Sequence, residues 1–308
     1  MPAGPASTTW PSLPYEFWKP TKQTLHRYVQ MVGKTRMALM PFRNHWWHVT
    51  LYVSARGLTT GPMPLAGGRT AEIEFDLVDH ELRVRASDGR SASFPLRDRL
   101  ACAEFYRDLF GALGAVGVDV EIHPEPYDLG DSPAFPHDTD HDSYDADAVE
   151  RWWAILRSTH GALAAFASRF NGKASPTQLF WHGFDLAHAR YSGRRAPAME
   201  GADPVTKEAY SHEVIAFGWW PGDDRRVAYP AFYSYTAPEP DGLAEQPLAP
   251  AAAEWQDTGN GSLAVLPYDS LRSADDPRAT LLEFYESAYA AGATAAGWDA
   301  ESLATGRT

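Results

Sequence analysis

Apolar and polar residues alternate along several stretches of the chain, and this period of two predicts β-strands. In residues 46–56, apolar residues such as Trp47 fall on one face, which we expect to join the core. The opposite face is polar and carries His48, Tyr52, Ser54 and Arg56. Strands of the same kind are predicted at residues 70–77, 81–85, 91–96, 118–122, 178–191, 211–219, 227–236 and 263–266.

Other stretches repeat their apolar residues every three or four positions, which predicts helices. In residues 21–40, Leu25, Tyr28 and Val32 form such a stripe, and Pro41 ends it. Further helices are predicted at residues 100–116, 148–170 and 277–296. The succession of helices and short strands predicts an α+β fold with two antiparallel β-sheets, each backed by helices.

The same anchors recur in both halves of the chain. The spacing from Trp47-His48 to Ala55-Arg56 equals that from Trp181-His182 to Ala189-Arg190, because 181 − 47 and 189 − 55 are both 134. Each half also carries Glu-Phe-Tyr in a later predicted helix, with Phe105 in one copy and Phe284 in the other. We interpret this as an internally duplicated domain whose halves are related by a pseudo-twofold axis. The alternative is chance matching in a chain rich in Trp, Ala and Gly.

The duplication sets the expected domain boundaries. Residues 1–20 form an irregular N-terminal arm, 21–122 the first α+β repeat and 148–300 the second. Residues 123–147, rich in Pro and acids, are expected to be a solvated linker, and residues 301–308 a tail.

Composition narrows the class of protein. The 308 residues carry a formal net charge of −13, so the protein as a whole has no electrostatic attraction to nucleic acid or to an anionic membrane. A single cysteine excludes an intrachain disulfide and a cysteine-based zinc site. The chain shows neither a signal peptide nor an apolar run long enough to span a membrane. We therefore expect a cytoplasmic protein that is a monomer or a weak homodimer.

Histidine and arginine dominate the residues that could carry chemistry. The chain has no dinucleotide fingerprint, complete phosphate loop, nucleophile elbow or zinc-protease motif, and we predict neither a metal site nor a particular cofactor. Histidine exchanges protons near neutral pH and arginine binds anions. The catalytic candidates are His48, His188, His212 and Glu213, and the ligand-binding candidates are Tyr52, Arg56, His182, Arg190, Arg194 and Arg195.

A duplicated structure predicts where these residues should meet. If the polar faces of the two sheets meet across a pseudo-twofold axis, one cleft collects His48, Arg56, His182, His188 and Arg190. The alternative is a solvent-exposed sheet face with structural histidines. The basic loop at residues 192–197 has the same two interpretations, since its arginines either hold an anion or pair with nearby acids.

Many short segments resemble one bacterial family. They are Trp10-Pro-Ser-Leu-Pro14, Thr24-Leu-His26, Val32-Gly-Lys34, Asn44-His-Trp-Trp-His48, Ser54-Ala-Arg-Gly-Leu-Thr-Thr60, Glu74-Phe-Asp76, Val78-Asp-His80, Phe184-Asp185, Ser192-Gly-Arg-Arg-Ala-Pro197 and Tyr210-Ser-His-Glu-Val214. The chain resembles the domain of unknown function 5996 family over nearly its whole length. The resemblance implies no activity. In that family a small residue can follow the tryptophan, so the chain departs from the pattern at His182.

The sequence favours an enzyme, or an enzyme-like protein, that acts on a small anionic metabolite in a cleft lined by His and Arg. Two other classes stay open, namely a non-catalytic ligand-binding or regulatory module and a structural partner in a complex. A deep cavity with convergent His, Arg and Tyr side chains would favour the first class.

Overall fold

Two antiparallel six-stranded sheets form the frame of the protein. The structure is a computed structural model, and it describes residues 9–130, 132–224 and 227–306. The first sheet contains β1 (Tyr52–Val53), β2 (Gly57–Thr59), β3 (Met63–Pro64), β4 (Thr70–Asp76), β5 (Glu81–Ala86) and β6 (Ser91–Pro95). The second contains β7 (Gln178–Phe180), β8 (Asp185–Arg195), β9 (His212–Trp220), β10 (Ala231–Ala237), β11 (Glu254–Asp257) and β12 (Ser262–Pro267).

The strand order of each sheet is largely that of the chain. The first sheet runs β1-β2-β4-β5-β6, with β3 also paired to β4, and the second runs β11-β12-β10-β9-β8-β7. Neighbouring strands are joined mainly by tight connections, such as the turn at Asp88-Gly89, where Gly89 takes a φ of 89°. Short connections of this kind favour antiparallel neighbours over parallel ones.

Two long helices pack on one face of each sheet, so the predicted α+β fold with helix-backed antiparallel sheets is confirmed. Phe105 of the second helix stacks on Tyr28 of the first and on Phe75 of the first sheet. In the other half, Phe166 packs against Phe217 of β9 and Tyr285. The helices are α1 (Tyr15–Leu39), α2 (Cys102–Ala115), α3 (Ala146–Ala167), α4 (Pro204–Ala209), α5 (Tyr268–Arg272) and α6 (Pro277–Ala295). Within the described residues, no helix is both long and apolar enough to span a membrane.

The two halves share a large hydrophobic core and are joined by a backbone bridge. Leu51, beside β1, and Leu179 of β7 form an antiparallel bridge, with N–H to O distances of 3.0 and 2.7 Å in the two directions. Helix α1 reaches into the second half, where the His26 ring lies 2.8 Å from the carbonyl oxygen of Trp181. These contacts fix the two sheets relative to each other.

The predicted internal duplication is not confirmed. Both halves contain a helix, a set of strands and a further helix, and Phe105 and Phe284 both lie in the later helices α2 and α6. Trp47, however, lies in a turn before β1, whereas Trp181 lies in the turn between β7 and β8. The tryptophans therefore do not occupy equivalent elements, although both are buried, at 7% and 6% exposure, as predicted.

Left-handed backbone accounts for the two main errors in the predicted strands. Residues 46–56 contain only the short strand β1, because His45 and Trp46 take φ values of 56° and 61° and turn the chain. Residues 178–191 form a hairpin instead of one strand, and Phe184 in its turn has a φ of 57°. Other predictions differ as well, since residues 118–122 are not a strand and the short strands β2, β3 and β11 lie outside the predicted ones.

The segment between the halves is packed, so the expectation of a solvated linker is wrong for part of it. Phe135 is fully buried against the core. Asp138 is also buried, where it forms an ion pair with Arg27 of α1 at 3.1 Å and contacts the ring of His141 at 2.9 Å. The N-terminal arm is likewise less irregular than predicted, because α1 already begins at Tyr15.

We expect Gly33→Ala to destabilise the protein. An alanine methyl at this position of α1 would overlap the buried indole of Trp181. Overpacking of this kind costs about 1–3 kcal/mol, against a gain in helix propensity of about 0.5–1 kcal/mol. Urea denaturation should show a lower midpoint for the variant.

The matched control is Gly111→Ala in α2, where an added methyl meets no other atom within 4 Å. This variant should gain about 0.5–1 kcal/mol, because only the propensity effect applies. Equal gains at both positions would show that Trp181 does not pack against α1 as described.

Candidate functional site

A strained turn before β1 carries His45 into the protein. Left-handed backbone costs a residue other than glycine about 1–2 kcal/mol, and both His45 and Trp46 adopt it. The backbone N–H of His45 donates to Oε1 of Glu208 in α4 at 3.0 Å. This contact between the halves helps to hold a conformation in which the His45 side chain is buried at 3% exposure.

The His45 ring is hydrogen-bonded at both nitrogens. Nδ1 lies 3.2 Å from the carbonyl oxygens of Glu208 and Ala209. Because carbonyls only accept, Nδ1 carries the proton and Nε2 is left as an acceptor. Nζ of Lys173 lies 2.6 Å from Nε2 and donates to it.

Aromatic rings enclose this pair. The His45 ring stacks on Tyr191 of β8 at 4.6 Å between centroids and contacts Trp47 at 5.3 Å. Nζ of Lys173 lies 4.9 Å from the centre of the Tyr191 ring and 5.7 Å from that of Trp47. The faces of aromatic rings attract an ammonium group and keep water away from it.

Strands β8 and β9 add two more basic side chains. Arg195 is the cross-strand partner of His212, and Tyr191 is the partner of Val214. Cross-strand partners and residues two apart share a face of the sheet, so Arg195, His212 and Tyr191 project to the same side. The His212 ring lies edge-on to His45 at 5.4 Å. We call this group the His45 site, defined by His45, Lys173, Tyr191, Arg195, Glu208 and His212.

Burial and like charge set the protonation of the site. Burial lowers the pKa of His45, and the neighbouring Lys173 lowers it further. The pKa of His212 is also lowered, by burial and then by the charges of Lys173 and Arg195. Burial lowers the pKa of the Lys173 amine, while Glu208 acts in the opposite direction. Both histidines are therefore neutral at pH 7 beside a lysine and an arginine.

The first half contributes fewer of the predicted site residues than expected. Arg56 forms ion pairs with Asp76 at 2.5 Å and Asp79 at 2.7 Å. The guanidinium of Arg36 lies over the ring of Tyr52. His48 is buried beside Phe42 and Trp46, and burial lowers its pKa.

The predicted cleft is not observed, because its five residues do not meet in one place. His188 and Arg190 project toward α3, on the face of β8 opposite Tyr191. His182 is exposed in the turn between β7 and β8. Alternation along a strand gives two faces but does not say which of them helices will cover.

The two arginines of the basic loop at residues 192–197 differ, since one pairs with an acid and the other does not. Nη2 of Arg194 lies 2.7 Å from Glu213 and donates to the carbonyl oxygen of Ala296, so this arginine pairs with an acid and the end of α6. Arg195, in contrast, projects toward His212 and forms no ion pair with any residue that the structure describes. Adjacent residues in a strand face opposite ways, which also separates Glu213 from His212.

Sequence reasoning missed four members of the site, which are His45, Lys173, Tyr191 and Glu208. The alternation of polar and apolar residues predicts a strand at residues 46–56, directly after His45, and gives no sign of a turn there. Their meeting depends on a left-handed turn in residues other than glycine, which no local sequence pattern indicates.

The histidines of the site do not form a metal centre. His45 and His212 are close, but both nitrogens of His45 are engaged by carbonyl groups and Lys173. Across residues 9–130, 132–224 and 227–306, no cluster of three or more His, Cys, Asp or Glu side chains is arranged to hold a metal ion.

We expect stability to fall in acid, in part through His188. Burial lowers the pKa of His188 to about 4, whereas an unfolded histidine titrates near about 6.5. The unfolded chain therefore takes up a proton first, so stability is lost as the pH falls between these values. His188→Leu should reduce this loss by up to about 3 kcal/mol in urea denaturation at a series of pH values.

His137→Leu is the control, since His137 is exposed. Its pH dependence should match that of the original protein. If His188→Leu behaved like this control, His188 would not be the buried neutral group that the structure shows.

The comparisons with known proteins place the chain in a family but attach no activity to it. The model of the Family of unknown function (DUF5996) matches residues 10–305. No curated protein and no solved structure matches the chain. Three of the segments that carry the resemblance, 44–48, 192–197 and 210–214, meet at the His45 site. With nearly its whole length matched, the chain belongs to the DUF5996 family of unknown function.

Proposed function

We propose that the protein is an enzyme that binds a small anionic molecule at the His45 site and moves protons on it. The observation that carries this proposal is the 2.6 Å contact between Lys173 and His45, with His212 and Arg195 on the same side of the sheet. A local concentration of basic groups in a protein of net charge −13 selects for anions.

Lys173 and Arg195 bind the anion in this proposal. One hydrogen of the Lys173 ammonium is donated to His45, and the other two are directed to the ligand. The rings of Trp47 and Tyr191 fix the ammonium and lower the local dielectric, which strengthens its attraction for a carboxylate or phosphate. Arg195 adds a planar group that binds two oxygens of the same anion.

His212 exchanges the proton. It is partly exposed, and its lowered pKa keeps it neutral and able to accept a proton near pH 7. Ser211 Oγ lies 3.1 Å from Nδ1, which assigns proton exchange with the ligand to Nε2. His45 positions Lys173 instead, because both of its nitrogens are already engaged.

A non-catalytic binding module is the second candidate. The observation in its favour is the full engagement of the His45 ring, which makes this residue a support and leaves the site without a second histidine to exchange protons. A substitution at His212 distinguishes the enzyme from the binding module. His212→Gln should keep anion binding in either case and should abolish turnover only in an enzyme.

The binding part of the proposal is tested with inorganic phosphate and succinate. Against sodium chloride at matched ionic strength, both should raise the Tm of the original protein at pH 7.5. A ligand at 100 times its Kd stabilises by about 2.7 kcal/mol, which corresponds to several degrees. Lys173→Gln and Arg195→Gln should lose most of this shift, because each removes a proposed contact to the anion.

Lys207→Gln is the matched control, because it removes the same charge from an exposed position of α4. It should keep the full shift. Multivalent anions also stabilise proteins by exclusion from their surface. An equal shift in all four proteins would therefore mean that the anions act generally and that the His45 site does not bind them.

A further inference from the structure

A cavity lies behind β8, on the face opposite the His45 site. Its volume is about 500 Å³, within the usual range for small-molecule sites. It is open to the surface and is bordered by the end of α3, by α6 and by the chain after α6. The residues around it are Arg169, Phe170, Arg190, Glu286, Tyr289, Ala300, Leu303, Ala304, Thr305 and Gly306.

Arg190 is the buried polar group of this cavity. Its side chain is only 1% exposed, and its guanidinium lies 3.4 Å from the centre of the Phe166 ring and 4.4 Å from that of Tyr289. Nη2 donates to the carbonyl oxygen of Phe166 at 2.6 Å. Nε is buried and has no hydrogen-bond partner among the residues that the structure describes.

The charge of Arg190 is poorly compensated. Glu286, its nearest acid, lies 4.0 Å from Nη1 and makes its closer contact, at 3.0 Å, with Arg169. Burial lowers the pKa of Arg190 to about 10, which leaves it charged at pH 7. A buried charge without a close partner is costly, and a bound anion would remove that cost.

Asp76 shows how a buried ion of this protein can be fully compensated. It is also fully buried, but it accepts from Arg56 and Arg83 and from the backbone N–H groups of Val78 and Asp79. Arg27 and Arg36 also have a buried Nε without a hydrogen-bond partner among the described residues, and at Arg190 this unmet capacity coincides with a cavity.

The lining indicates the chemical class of ligand. Two arginines and one glutamate leave one positive charge, which matches a single negative charge on the ligand. The remaining surface is mainly apolar, with Phe170, Tyr289 and Leu303 around the space. A monocarboxylate with an apolar body satisfies both features, whereas a free phosphate satisfies only the charge.

We propose that this cavity binds a small monocarboxylate, with the carboxylate at Arg190 and Arg169 and the apolar body against Phe170, Tyr289 and Leu303. The site is separate from the His45 site. Arg190 and Tyr191 are neighbours in β8 but project to opposite faces of the sheet, so each site is tested without the other.

Isothermal titration calorimetry with benzoate, hexanoate and 3-phenylpropionate tests the proposal. At least one of these acids should bind the original protein, and its neutral amide, such as benzamide for benzoate, should bind at least about tenfold more weakly, a difference of about 1.4 kcal/mol. Arg190→Gln should lose binding to the same extent, because it removes the buried positive charge.

Ala304→Trp is a second variant that leaves Arg190 in place. Ala304 is exposed and lines the cavity, so the indole fills the space without disturbing the core, and acid binding should be lost. If Arg190→Gln does not fold, Ala304→Trp still tests whether the acids bind in this cavity. Arg194→Gln is the control, because Arg194 is exposed and pairs with Glu213, and it should bind the acids normally.

Several results would overturn the proposal. One is the absence of binding by all three acids at millimolar concentration. Another is acid binding that survives Ala304→Trp, which would place the acids elsewhere. Equal binding of the acid and its amide would exclude a role for the charge. Binding of inorganic phosphate that is lost in Ala304→Trp, with no binding of the acids, would show that the ligand class is wrong.

Discussion

The junction between the two halves is the constraint on which the candidate site depends. The backbone bridge between Leu51 and Leu179 joins the sheets, and α1 crosses to the second half, where Gly33 leaves room for the Trp181 indole. His45 comes from the first half, whereas its contacts Lys173, Tyr191 and Glu208 come from the second. A small displacement of one half would separate Lys173 from His45, since a hydrogen bond is lost within about 1 Å of added distance.

Strain at His45 is offset by contacts that exist only in the assembled fold. Two successive left-handed residues other than glycine are unfavourable in an isolated peptide. The hydrogen bond to Glu208, the stacking on Tyr191 and the contact with Lys173 all come from residues more than a hundred positions away. Strain that persists because its surroundings determine it is common at functional sites, which agrees with the chemistry that this turn brings together.

Strand β8 separates two chemically different environments. On one face, Tyr191 and Arg195 belong to the His45 site, which is partly exposed and rich in basic groups. On the other, His188 and Arg190 lie under α3 and α6, where burial lowers the pKa of each. Arg190 and Tyr191, successive residues of one strand about 3.3 Å apart along the chain, therefore belong to two different sites.

The sequence by itself determined the α+β class, four long helices to within a few residues at most ends, the core positions Leu25, Tyr28 and Val32, and the end of α1 just before Pro41. It also carried the family resemblance. These features depend on local periodicity, on turn chemistry or on residue identity, all of which can be read along the chain. The tertiary structure alone decided that residues 44–48 turn inward, that helices cover the Arg190 face of β8, and that Lys173 meets His45. Each of these outcomes depends on contacts between distant segments, whose free energy overrides the local preference of the backbone.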